Sequence, residues 1–323
     1  MTRATFLLPA PARFGAQRWA ADVVRALGRA DRLPPGEAGR RAQLLRYARL
    51  PPGRWPLAAL SRRLDAGDAD TPGAAWLRAD PAWLRPDING VRLMAHGEGL
   101  GLTREDVDAL LPALRPVFGD AGCLLDAPHP ARWYLQVPDG TRLPAFHDPA
   151  DALGADLADL EDADTVDSSA EARRWRALAN EAQIMLHQHP WNARRLAAGR
   201  PAVNALWFWG GGTLPARGTF GGEWPAHVYS DDPTCSALAA ASVRAEALPT
   251  AWPGGSAEPA LYDLTAMRDL RELQQAWLAP ALAAVAGGGL DALTIDDESG
   301  RRLHLRRWHR LRLWRGAAWD TPA

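Results

Sequence analysis

Residues 180–212, NEAQIMLHQHPWNARRLAAGRPAVNALWFWGGG, decide how this chain is read. The 18 residues from His187 to Asn204 hold His187, His189, Asn192, Arg194, Arg195 and Asn204, and Trp207-Phe208-Trp209 and three glycines follow. The pattern predicts a helix to Leu186, a His-Pro-Trp-Asn turn and an apolar strand. Two guanidiniums, two amides and two imidazoles so placed make a grip for an anion, because charged forks bind carboxylate and phosphate bidentately. The competing reading is a capped helix, a loop and a buried strand whose His and Asn satisfy backbone groups. Gly210-Gly211-Gly212 either present backbone N–H groups to a phosphate or serve a loop that needs positive φ.

Outward from this stretch, helices and short strands alternate, which predicts an α/β fold. Upstream, residues 5–8 form a strand and 16–27 a helix with Trp19, Val23, Val24 and Leu27 on one face. Short helices follow over 41–50 and 56–65, and the polar stretch 68–73 marks a boundary. Residues 75–81 read as strand and turn, and 87–94 as a turn around Asn89-Gly90 entering a strand. Thr103 with Asp106 three residues on predicts a helix start. Residues 132–137 form a strand, and 156–169, acidic and rich in small residues, a surface loop. After a Gly- and Pro-rich loop to Pro225, residues 225–230 are strand-like. Asp231 or Asp232 caps a helix before Pro233, and 237–247 are helical. Residues 261–264 form a strand, 269–285 a helix with a break near Pro280, and 293–314 a terminal β-hairpin.

Composition narrows the class. The chain has 323 residues, 47% of them hydrophobic, enough for one large domain or two ordinary ones. A net charge of -1 gives no global pull toward nucleic acid or membrane. All 37 basic residues are arginine. The two cysteines, Cys123 and Cys235, match no metal spacing and suit a reducing, cytoplasmic setting. No signal peptide or membrane span is expected. The 15 tryptophans lack regular spacing, which disfavours a single-stranded nucleic-acid platform, and several follow Arg, as in Arg18-Trp19, Arg132-Trp133 and Arg307-Trp308, inviting arginine–indole stacking. Residues 301–312 carry eight basic residues counting histidine, but alternating Leu303, Leu305, Leu311 and Leu313 read as a half-exposed strand. GxxxxGK[ST], GxSxG and HExxH motifs are missing, and Gly97-Glu98-Gly99-Leu100-Gly101 is only a loop before a helix.

His189, Pro190, Asn192 and Arg195, then Gly199, Pro201 and Asn204 and the glycines, resemble a signature of the archaeal-type, cofactor-independent phosphoglycerate mutases. Leu77-Arg78-Ala79-Asp80, Gly90-Val91-Arg92, His129-Pro130-Ala131-Arg132 and His147-Asp148-Pro149 with Gly154 resemble further elements of the mutases' inserted domain. Over nearly the whole length, ADRL, DINGVRL, DAPHPARWYL and LHQHPWNARR…VNALWFWGGG resemble the RpfE-type regulatory proteins of plant-pathogenic bacteria. The resemblance implies an alkaline-phosphatase-like (phosphoglycerate mutase-like) reduced core, residues 1–73 and 213–323, with an inserted α/β domain over 74–212. It departs where the mutases hold two metals. The first strand ends Leu8-Pro9-Ala10 without a carboxylate, and no Asp-x-x-Gly-His element follows later. The expectation is a non-catalytic regulatory or binding protein without metal or cofactor. It would take a small phosphorylated or carboxylate anion on Arg78, Arg92, His129, Arg132, His189, Asn192, Arg195 and Asn204. The alternative is an active mutase or phosphohydrolase with an altered metal site.

Overall fold

The computed structural model describes residues 2–49, 55–67, 74–87, 90–138, 140–154, 169–213 and 221–315. The boundary read at 68–73, the Ile88-Asn89 part of a turn, most of the acidic loop at 156–169 and residues 214–220 of the Gly- and Pro-rich loop lie outside them. The chain is mixed α/β and divides into two compact units, Met1–Leu50 with Arg217–Ala323, and Pro51–Ala216. Among the described residues, no helix is long and apolar enough to cross a membrane.

The first unit is built on a seven-stranded sheet in the order β11-β10-β12-β1-β13-β14-β2. These strands are β1 (Arg3–Leu8), β2 (Asp31–Arg32), β10 (His227–Tyr229), β11 (Arg244–Glu246), β12 (Ala260–Asp263), β13 (Ala292–Asp297) and β14 (Arg302–Arg306). The five from β11 to β13 run parallel, and β14 and β2 add antiparallel edges. Near-continuous apolar runs such as Phe6-Leu7-Leu8 suit strands covered on both faces. Phe6, at the centre, meets Tyr262 and Trp277 edge-on at 5.7 and 5.9 Å. Helix α1 (Ala21–Gly28) adds Val23 and Leu27 to that core. The helix read over 269–285 is Leu270–Glu272, a π-helical stretch Leu273–Leu278, then Ala279–Gly287 with Pro280 in its first turn.

Local chemistry moves several boundaries. The helix expected over 41–50 is α2 (Arg40–Leu45), followed by a two-residue strand, β3 (Ala48–Arg49), paired to β9 (Gly221–Gly222). The helix expected over 237–247 starts earlier, at Pro233, because Asp232 accepts from the Thr234 N–H, and it ends at Ala240 before β11. The terminal strand stops at Arg306. His309, buried, receives the Arg306 N–H on Nδ1 at 3.3 Å, and a 3-10 turn (Arg307–Leu311) replaces the alternation, leaving Leu311 and Leu313 exposed.

The second unit holds an antiparallel sheet, β5-β4-β7-β6 with β8 also on β4. Its strands are β4 (Ala75–Asp87), β5 (Gly90–His96), β6 (Leu124–His129), β7 (Arg132–Val137) and β8 (Ala205–Thr213). Side chains alternate along β4. After α4 (Arg104–Asp120) come a one-turn α5 (Pro149–Ala152) and α6 (Ala170–His187), and Leu77 and Ala79 join the core formed with α4 and α6, which includes Leu110, Phe118, Trp133, Trp175 and Phe208. Trp76 packs with Tyr134 and with Ala58 and Ala59 of α3 (Leu57–Ala66). The turn expected at Pro81 is instead continuous strand. Pro81 falls between Arg78, the last residue paired to β7, and Ala82, the first paired to β5, so its missing N–H costs little. β6, unread in the sequence, contains Pro128 and lacks clean alternation.

Arginine stacks on indole, though among the described residues the partners are not sequence neighbours. Arg62 lies 4.5 Å from the Trp76 ring centroid, Arg78 5.0 Å from Trp209 and Arg312 4.1 Å from Trp308.

Candidate functional site

The His189-Pro190-Trp191-Asn192 segment builds a short helix, α7 (Pro190–Ala197), capped by His189, whose Nδ1 accepts the Trp191 N–H at 3.2 Å. Asn192 is buried. Its amide donates to Leu186 O and Val203 O at 2.7 and 2.8 Å, and its oxygen accepts the Val203 N–H. It thereby ties the end of α6 to the entrance of β8. Arg195 donates to Leu100 O at 2.7 Å and Pro201 O at 2.9 Å, and its Nη1 lies 2.8 Å from Asp106. Asp106 closes the capping box of α4 with Thr103 and accepts from Trp191 Nε1. Burial opposes its charge, but the bonds from Trp191, Thr103 and Arg195 win and hold its carboxyl down at about 2. Asn204 acts as a strand segment, accepting the Leu84 N–H and donating to Leu84 O.

The other arginines named from sequence have partners within the second unit. Arg78 forks onto Asp80 at 2.8 and 2.7 Å and reaches Ser61. Arg92 donates to Gly154 O at 3.2 Å. Arg132 forks onto Asp65 at 2.7 and 2.6 Å, and its remaining nitrogen binds Glu98 at 2.7 Å. His129 lies 3.8 Å from that same Glu98, and burial, helped by the Arg132 charge, pushes its pKa down. The structure thus groups His189, Asn192 and Arg195 on one helix and His129 with Arg132 around Glu98. Arg78, Arg92 and Asn204 are each bound elsewhere. The two groups grip the same 3-10 turn (Gly97–Leu100), one at Glu98 and the other at the Leu100 carbonyl.

Gly210, Gly211 and Gly212 belong to β8. Gly210 has φ +64°, and a Cβ on Gly212 would stand 2.7 Å from Pro56 Cβ and 2.9 Å from its Cα. Close approach of the segment leading into α3 explains the need for glycine at 212, and backbone conformation explains it at 210.

A second polar cluster follows the carboxyl ends of the parallel strands in the first unit, where ligands bind in open α/β sheets. Arg40 reaches Asp232 at 2.6 Å and Asp263 at 2.5 Å. Asp263 also receives the Ser230 and Thr265 hydroxyls at 2.7 and 2.6 Å. Burial works against both charges, but each stabilises the other, so Arg40 is raised and Asp263 lowered from their ordinary pKa values. Burial first, and then the Asp263 charge, drive the neighbouring Cys235 thiol well up, away from the thiolate. At the end of β13, Arg46 forks onto Asp296 at 2.9 and 2.6 Å, with the Tyr47 hydroxyl donating at 3.0 Å. Asp297 takes Arg301 at 3.0 Å, and Glu298 has Arg13 at 3.2 Å. Of these acids, only Asp232 stands in a pattern recognisable from sequence, as the cap before Pro233. Acids that close apolar strands, at 263 and 296–298, are the signal in the sequence.

The two divalent cations implied by the mutase resemblance need several free carboxylate or imidazole donors converging on each ion. Here the strand-end carboxylates are matched by guanidiniums. Among the described residues, no group of three or more His, Cys, Asp or Glu is placed to hold a metal ion. The residues present do not fit a two-cation centre.

No family model and no curated protein sequence matches the chain. Among solved structures it is similar to the PH0037 protein from Pyrococcus horikoshii, at 12% identity and a TM-score of 0.48, covering 94% of this chain and 86% of that one. It is also similar to the cofactor-independent phosphoglycerate mutase from Thermoplasma acidophilum DSM 1728, at 16% identity and a TM-score of 0.42, covering 95% and 90%. Neither likeness carries a residue role across.

Proposed function

We propose that this chain is a non-catalytic binding protein with a regulatory role, a reduced phosphatase-like core joined to a mutase-like domain, and that it takes a small phosphorylated or carboxylate anion. The observation that carries the non-catalytic part is the guanidinium pairing at the sheet edge. Arg40 spans Asp232 and Asp263, and Arg46 caps Asp296, so each of these carboxylates already has one of the protein's own cations as a partner. The anion part is supported by Glu98. Its side chain is 63% exposed, yet it lies against Arg132 and His129 as an internal carboxylate that a ligand can displace.

Metal analysis of the purified protein, joined to a turnover assay with 3-phosphoglycerate in manganese or magnesium, tests the reading. The expected result is no tightly bound divalent metal and no turnover above background. Stoichiometric metal together with turnover lost in Asp263→Asn would overturn it and establish an enzyme with an altered metal set.

A further inference from the structure

A cleft of about 790 Å³ opens in the first unit, lined by residues 17, 18 and 20 on one side and 268–271, 274 and 275 on the other. One wall belongs to the connection after β1 and the other to the connection after β12, and these two strands are parallel neighbours. The cleft therefore lies outside the carboxyl ends of adjacent parallel strands, where open α/β sheets take ligands. None of the residues named from the motif lies in it.

Two glutamines fix the rims. Gln17 donates to Arg268 O at 2.8 Å and accepts the Leu270 N–H at 2.7 Å. Gln274 accepts the Ala20 N–H at 2.6 Å and donates to Leu270 O at 3.1 Å. Both amides are thus spent on holding the walls in place. Three guanidiniums line the space, those of Arg18, Arg268 and Arg271, against one carboxylate, Asp269. That carboxylate is itself engaged, accepting the Arg271 and Glu272 N–H groups on Oδ1. Arg268 is anchored through Nη1 to the Thr265 and Met267 carbonyls. No side-chain hydrogen bond or ion pair joins Arg18 or Arg271 to another described residue. Burial, and then the nearby Arg13 charge, disfavour the Arg268 cation, while the Glu298 carboxylate favours it.

We infer that this cleft is a binding site for a small polyanion, a molecule bearing at least two negative charges as phosphate or carboxylate groups. It is held by the Arg18, Arg268 and Arg271 guanidiniums. Asp269 opposes an anion only weakly, because its carboxylate already accepts the backbone N–H groups of Arg271 and Glu272 at the helix start. The site is independent of the His129–Arg132 pair in the second unit.

Titration calorimetry of the full chain with pyrophosphate and, separately, with citrate tests this. The two arms distinguish phosphoryl from carboxylate chemistry. At low ionic strength at least one should bind, and affinity should fall as sodium chloride is added. Arg18→Ser with Arg271→Ser should weaken that binding about tenfold or more, since each removes charge-assisted bonds. Both side chains are exposed, so the doubly substituted protein should melt as the parent does. No binding of either anion to the parent chain, or equal affinity in the doubly substituted chain, overturns the site. Binding lost in Arg132→Ala but kept in Arg18→Ser with Arg271→Ser also overturns it, while leaving the anion reading of the second unit standing.

Discussion

The Arg195 guanidinium lies 2.8 Å from the Asp106 carboxylate, and each side chain is 2% exposed. Removing one member strands the other in a place water does not reach. Arg195→Ala should therefore cost about 3–5 kcal/mol of unfolding free energy by urea titration. Arg200 stands 4.0 Å from the same carboxylate but is 50% exposed, so Arg200→Ala should cost less than about 1 kcal/mol. Equal effects would show that the buried pair is not special.

Asp106 also gives an acid limit. Its carboxyl is held at about 2, below the roughly 3.9 of an unfolded aspartate. A depressed pKa means that the unfolded chain binds the proton first as pH falls. The stabilisation is complete above about pH 4 and is lost on the way down to about pH 2. Denaturant midpoints should drop through that window, and Asp106→Asn should flatten the drop.

Arg40→Ala leaves Asp263, 2% exposed, without its cation, and about 3–5 kcal/mol should be lost. Asp232 is 30% exposed and also caps the helix starting at Pro233. Asp232→Ala should therefore cost only about 1 kcal/mol, mostly as a lost cap. Thermal melts of the two variants side by side give the comparison.

Gly212→Ala places a methyl group 2.7 Å from Pro56 and should destabilise by about 1–3 kcal/mol. Gly119, inside α4, has open space at its Cβ, so Gly119→Ala should be neutral or stabilising by up to about 1 kcal/mol. If both substitutions behave alike, crowding by Pro56 does not explain the glycine at 212.

Glu98→Ala removes the internal carboxylate from Arg132 and His129. Phosphate should then bind more tightly at this pair than in the parent chain, read by calorimetry. Unchanged or weaker affinity would mean that Glu98 is not standing in for a ligand.

What was legible in the sequence was local. The Thr103–Asp106 box is formed within four residues, and the apolar run of β8 announces itself. Donors were visible too, since Arg132, Asn192 and Arg195 are recognisable as groups needing partners. Their acceptors were not, because these come from other elements. Arg195 finds Asp106 and the Leu100 carbonyl, Asn192 finds Val203, and Arg132 finds Asp65. The strand through Pro81 was hidden for a similar reason, because its tolerance depends on where neighbouring strands change over. At the sheet edge, Arg40 and Arg46 stand on a helix and just past it. Nothing in their own neighbourhood shows that they will meet acids more than 190 positions away.

The position of β1 has a consequence for how the protein is made. Ala4 pairs with Ala260 on one side and Thr5 with Thr294 on the other. A ribosome adding about 5–20 residues per second completes this strand roughly 13–50 s before either neighbour exists. Phe6, Leu7 and Leu8, wholly enclosed in the finished sheet, then emerge into the cell as a bare apolar segment with both ladder edges open. The first unit can close around it only after β12 and β13 have both been translated.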